Sequence, residues 1–151
     1  MTAFRSTAGG IAVEMSPEER MFLGDVLPLL AGIGAQGSDP AADRLTVPVY
    51  LNDPEANEEW WRLMGQDLDA ARQADRAVFS KMVTGEAPVV LDLEEADAVL
   101  RVLNEVRLAL GARLGIEVAA DHEDLAEESR QVMDYLGWIQ EDLTVELTRA
   151  L

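Results

Sequence analysis

The chain has 151 residues, 29 of them acidic and 12 basic, so it carries a formal charge of -17 while 48% of its residues are apolar. That apolar share suffices for one sizeable core and the length for one domain, 1–151, whereas the charge repels nucleic-acid phosphates and anionic membrane surfaces, so direct binding to neither is expected. Cysteine is absent, which excludes disulfides, thiolate metal sites, a cysteine nucleophile and thiol redox sensing.

The first five residues form no apolar signal region, and the longest apolar run, 21–33, is interrupted by Gly24, Asp25 and Pro28. A cytoplasmic location is therefore expected. Short apolar or alternating runs at 4–7 and 11–15, separated by Ala8, Gly9 and Gly10, predict a hairpin. Ser16, Pro17 and Glu19 then supply a cap, a first-turn proline and a capping-box glutamate for a helix whose apolar face is Phe22, Leu23, Val26, Leu27, Leu30 and Ile33.

Gly34 and the residues to Ser38 read as a loop, with Asp39 and Pro40 starting one helical turn and 47–52 extended through Pro48. Asp53 and Pro54 begin another helix with Ala56, Trp60, Leu63 and Met64 on one face and Trp61 at its edge, and Gly65 is expected to end it. A following helix over 66–83 presents Leu68, Ala71, Ala74, Val78, Phe79 and Met82 to the core, with Asp75 in the middle of that face. Arg72, Arg76 and Lys81, interleaved with Asp69 and Asp75, read as a solvated face.

The stretch 88–115 is a short strand feeding the helix around which the rest is arranged. Asp92 and Glu95 make a capping box. Ala96, Val99, Leu103, Val106, Leu110 and Leu114 fall on one arc, widened by Leu100 and Val102, so several neighbours must cover it. Glu94, Asp97, Arg101, Asn104 and Glu105 take the solvent arc, and Gly115 closes the helix. The strand-to-helix unit echoes the earlier one: Val13, Ser16, Glu19 and Leu27 align at constant offset with Val89, Asp92, Glu95 and Leu103. Strand 88–91 is accordingly expected to join the hairpin.

Arg107 projects into the apolar arc, where it must meet a carboxylate or snorkel to water. A buried ion pair with Asp75 is the leading expectation, with Asp67 second. Asp121 is expected to cap a last helix whose stripe is Leu125, Val132, Leu136, Ile139, Leu143 and Leu147. Trp138 and Val145 lie off that stripe and, with Trp61, are the candidate partner interface; a homodimer through the C-terminal helix is the simplest use of them.

The pattern as a whole predicts a mainly α protein with a small β-sheet (α+β): a helical bundle around a central helix at about 92–114, capped by three strands. No catalytic, cofactor-binding or metal-ligating constellation emerges. His122 is the single histidine and sits among Asp121, Glu123 and Asp124; the glycines at 32–37 follow a helix and lack a lysine, unlike a phosphate-binding loop; and Glu58 and Glu59, or Glu127 and Glu128, point apart on a helix. The chain is thus read as a non-enzyme.

Three signatures carry a resemblance: Asn104, Glu105, Val106, Arg107, Leu108, Ala109, Leu110, Gly111, Ala112, Arg113, Leu114 and Gly115; Asn52, Asp53, Pro54, Glu55 and Ala56; and Leu136, Gly137, Trp138, Ile139, Gln140 and Glu141. They resemble an actinobacterial family of uncharacterised proteins encoded beside the protease adaptor ClpS, which includes the oxidative-stress regulator AosR. The resemblance implies a small cytoplasmic regulator of transcription and stress response, acting on a sigma factor or RNA polymerase. Given the charge, that action is expected to be protein contact, the acidic surface meeting a basic face. An adaptor or accessory protein of the ClpS/Clp proteolytic pathway is the alternative.

Overall fold

Gly10 sets the geometry at the start of the chain. Its φ of 132° suits only glycine, and a Cβ there would lie 2.2 Å from the carbonyl oxygen of Leu91, so the second strand and the strand from the middle of the chain can close on each other only at this residue type. In the computed structural model, which describes residues 2–34, 37–46 and 48–151, β1 (Phe4–Thr7), β2 (Gly10–Val13) and β3 (Val89–Leu91) form an antiparallel sheet in that order. Phe4 faces Val13, and Val13 in turn faces Val89. One equivalent pair of the two strand-to-helix units, Val13 and Val89, thus stands face to face.

Each unit continues into a helix through the capping box expected of it. In α1 (Pro17–Ala31) the Glu19 amide donates to Ser16 Oγ at 3.1 Å while Glu19 accepts from the Ser16 amide at 2.8 Å. In α4 (Leu93–Arg113) Asp92 and Glu95 exchange the same two bonds. The α4 helix is central: it packs against α1, α2 (Pro40–Leu45), α3 (Pro54–Thr84) and α5 (Glu127–Ala150), and it touches β2 and β3. Ala96, Val99, Val102, Leu103, Val106 and Ala109 are buried, in one core with Phe4, Ile11, Leu23, Phe79, Met82, Leu136, Ile139 and Leu143. Gly115, at φ 79°, closes α4 with the Gly115 amide on the Ala112 carbonyl and the Ile116 amide on that of Gly111, the paired bonds of a Schellman turn.

Four expectations are corrected. Gly65 does not end a helix: α3 runs unbroken from Pro54 to Thr84, since an interior glycine costs only about 1 kcal/mol and both flanks favour helix. Residues 48–52 form turns rather than an extended run, because the Val49 amide is taken by Asn57 Oδ1 at 2.8 Å and the chain folds back on the start of α3; Val47 lies outside the described residues. Asp121 does not cap the last helix. It accepts the amides of Glu117 and Val118 and anchors a 3-10 helix at Ala119–Asp124, with α5 starting only at Glu127; those two bonds hold its carboxyl below the ordinary value. Finally, Ala71 and Ala74 are exposed while Arg72 and Arg76 turn inward. Arg72 donates to the Leu45 carbonyl at 2.9 Å and Arg76 meets Glu105 at 2.9 Å.

The outer edge of the sheet is covered by α5. Asp142 accepts the amides of Ala3 and Phe4, each at 2.9 Å, and Glu146 accepts that of Ser6 at 2.9 Å. Phe4 and Ser6 aim their N–H groups the same way from a strand, and Asp142 and Glu146 share a helix face four residues apart, so the two spacings match. Edge amides that would otherwise stay open are thereby satisfied.

Candidate interaction surfaces

Arg107 and Asp75 do not meet. Asp75 instead holds Arg101 through two bonds of 2.8 and 2.9 Å at the surface, an attachment that raises the Arg101 pKa. Arg107 lies half-buried against α5, where its Nη1 donates to Gln140 Oε1 at 2.7 Å and its Nε finds no partner. The guanidinium lies over Gly137, where a Cβ would be in ordinary contact with Arg107 Nη2 at 3.5 Å. The buried ion pair of α4 is Arg76 with Glu105, their side chains 16% and 11% exposed. Glu105, expected on the solvent arc, is buried because α3 crosses that side of α4.

The three candidate interface residues fall on two surfaces. Trp138 and Val145 are 36% and 41% exposed and line one shallow cavity with Thr2, Glu141, Asp142, Glu146 and Arg149. Trp61 lies on α3, half-buried, its ring edge-to-face with Trp60 at 5.0 Å. His122 sits beside Asp134, 2.8 Å away, near the surface. Among the described residues no group of three or more metal-ligating side chains gathers, and no helix is long and apolar enough to cross a membrane.

The first surface extends beyond Trp138. Tyr135, one turn earlier on α5, packs against Trp138 with ring centres 6.0 Å apart and against Phe22 of α1 edge-to-face at 5.4 Å. Phe22, Val132 and Tyr135 floor an open, strongly apolar groove of about 400 Å³ between α1 and α5, with Glu18, Glu19, Glu128 and Gln131 on its rim. Tyr135 donates to Glu19 at 3.4 Å. Burial, reinforced by that carboxylate, pushes the phenol well above its ordinary value, so it remains a neutral donor. Tyr135 was missed in the sequence although it stands three residues before Trp138, the spacing that makes helix neighbours.

The second surface is the first half of α3. The buried residues of α3, Phe79 and Met82, both lie in its second half. Its partners run antiparallel along it: Val83 lies near Gly24 and Arg76 pairs with Glu105, whereas α1 ends at Ala31 and α4 at Arg113. Residues 54–68 therefore reach past both helices. This overhang and the turn before it carry Tyr50, Leu51, Leu63 and Met64, with Leu51 81% and Leu63 60% exposed. Acidic side chains surround them, namely Asp53, Glu55, Glu58, Glu59 and Asp67, against a lone Arg62 that is tied to Glu59.

No curated protein and no solved structure matches the chain. Residues 1–147 match the model of a family described as a domain of unknown function, DUF2017, and the chain belongs to that family.

Proposed function

We propose that this chain is a non-enzymatic regulatory protein of the cytoplasm that works by binding another protein. The observation that carries the reading is the α3 overhang, where Leu63, Met64 and the Tyr50–Leu51 turn expose apolar side chains on a stretch that α1 and α4 do not reach. Such a surface in an otherwise acidic molecule favours a protein partner, and the charge favours a basic one. The resemblance to the ClpS-linked actinobacterial family supplies the direction: transcription under stress, through a sigma factor or RNA polymerase. An adaptor role in the Clp proteolytic pathway is the competing direction.

Immobilised wild-type protein and a Leu63→Ser/Met64→Ser variant, offered purified RNA polymerase, sigma factors and Clp components in turn, test it. Retention of polymerase or a sigma factor by the wild type, weakened about tenfold or more in the variant, is the expected result. Retention of Clp components alone would select the adaptor role. Tight stoichiometric uptake of a divalent metal in calorimetry, with no protein retained, would replace the reading with an enzymatic one.

A further inference from the structure

The groove between α1 and α5 is independent of the α3 overhang and has a chemistry of its own. Its floor is aromatic and aliphatic, and none of the side chains lining it is basic. Glu19 is committed within the molecule, to the Ser16 amide and the Tyr135 hydroxyl. Glu18 and Glu128 are different: both are exposed on the rim, and neither belongs to an ion pair among the described residues.

We infer that this groove seats a basic amphipathic helix of a partner protein, an inference that rests on the reading of the chain as a protein-binding regulator. Two flanking helices with an apolar floor between them form the kind of trough in which a third helix lays its apolar stripe. Phe22 meets Tyr135 across the groove and Trp138 continues from Tyr135 along α5, with ring centres 5.4 and 6.0 Å apart, while Val132, Tyr135 and Trp138 succeed one another every three residues of α5 over nearly two helical turns. Anchors at i, i+4 and i+7 of the incoming helix match that length, and lysines or arginines beside them reach Glu18 and Glu128. The charge decides between occupants. A second copy of this chain would set one -17 molecule against another across a glutamate rim, and an acidic segment or a nucleic acid would meet the same repulsion. A basic helix gains at both uncommitted rim glutamates, Glu18 and Glu128.

The probe is a synthetic helical peptide of about 18 residues, leucines at the anchor spacing and lysines elsewhere, titrated into isotope-labelled protein and followed by amide shifts. Saturable shifts confined to α1 and α5 are expected, with Tyr135→Ala weakening binding about tenfold. A Glu18→Gln/Glu128→Gln variant, changed only at exposed positions, should keep its fold, bind more weakly and lose much of the salt dependence. Equal binding by a peptide of the same composition with scrambled leucines would overturn the inference, as would shifts confined to residues 54–68. So would a wild-type dimer in sedimentation that Trp138→Ala dissociates, since the second copy would then be the occupant. Polymerase or sigma-factor retention without groove binding would leave the proposed function standing and this inference overturned. Groove binding that survives in the Leu63→Ser/Met64→Ser variant, with no such retention, would do the reverse.

Discussion

Arg76 and Arg101 point at neighbouring carboxylates from opposite sides of the α3–α4 contact, and their surroundings separate them. The Arg76–Glu105 pair is shielded on both sides, with the guanidinium's Nε buried and unpartnered, whereas in the Arg101–Asp75 pair the carboxylate is 14% exposed but the arginine side chain 58%. Removing one member of a shielded pair strands the other charge, at a cost of roughly 3 kcal/mol or more, while exposed pairs contribute about 0 to 1 kcal/mol. Arg76→Met, which leaves both a buried carboxylate and a buried gap, should therefore lower the urea midpoint more than Arg101→Met, whose loss leaves Asp75 beside the space that an exposed side chain vacates; equal small losses would mean that water reaches Glu105. Arg107 occupies a middle position, since its partner Gln140 carries no charge and its loss leaves no stranded ion. At this scale the sequence was legible in part. That Arg107 faces the bundle could be read from its arc. That a glutamine meets it could not, because the periodicity of one helix does not say which residue of another lies opposite.

The elements whose ends are written in local chemistry were all visible in advance: both capping boxes, the three short strands and the glycine that closes α4. What the local pattern could not decide was whether a glycine stops a helix or merely sits in one. At Gly115 the backbone is left-handed, whereas at Gly65 it is helical and an added Cβ would meet only Trp61 Cε3, at 4.0 Å. Gly65→Ala is thus expected to stabilise the protein by about 0.5 to 1 kcal/mol, and Gly115→Ala to destabilise it by about 1 kcal/mol, in thermal or urea unfolding. A destabilising Gly65→Ala would show that α3 is broken there after all. The same ambiguity concealed the candidate site. Two separate helices would each have ended within the bundle; one continuous helix overshoots it and carries Leu63 and Met64 out with it. The groove was hidden for another reason, since Phe22 and Tyr135 are 113 residues apart in sequence and only the packing of α1 beside α5 makes them one surface.

For the whole molecule, acidification works in two directions. Neutralising carboxylates relieves the self-repulsion of a -17 chain, but it also removes the charges that hold β1. The Ser6 amide is the main cause that keeps the Glu146 carboxyl below its ordinary 4.5. A carboxyl lowered in the folded state adds stability above its unfolded value, and that stability is lost as pH falls through the folded one. Glu146→Gln should consequently lower stability near neutrality, by about 1.5 to 3 kcal/mol if the charged hydrogen bond is lost outright. The deficit against the wild type should shrink as pH drops below about 4.5, measured as urea midpoints across pH. Parallel curves for the two proteins would show that the bond does not depend on charge.

The contact between β1 and α5 also has a meaning in time. Ala3 and Asp142 are 139 positions apart, so a chain emerging from the ribosome makes its first strand long before the carboxylates that cover that strand's open edge exist. Until those carboxylates are made, the outer amides of β1 stay available to any other extended segment, including the same strand on a neighbouring nascent chain. It is α5 that ends this exposure, and a chain halted before Asp142 would be left with an edge able to pair with its own kind.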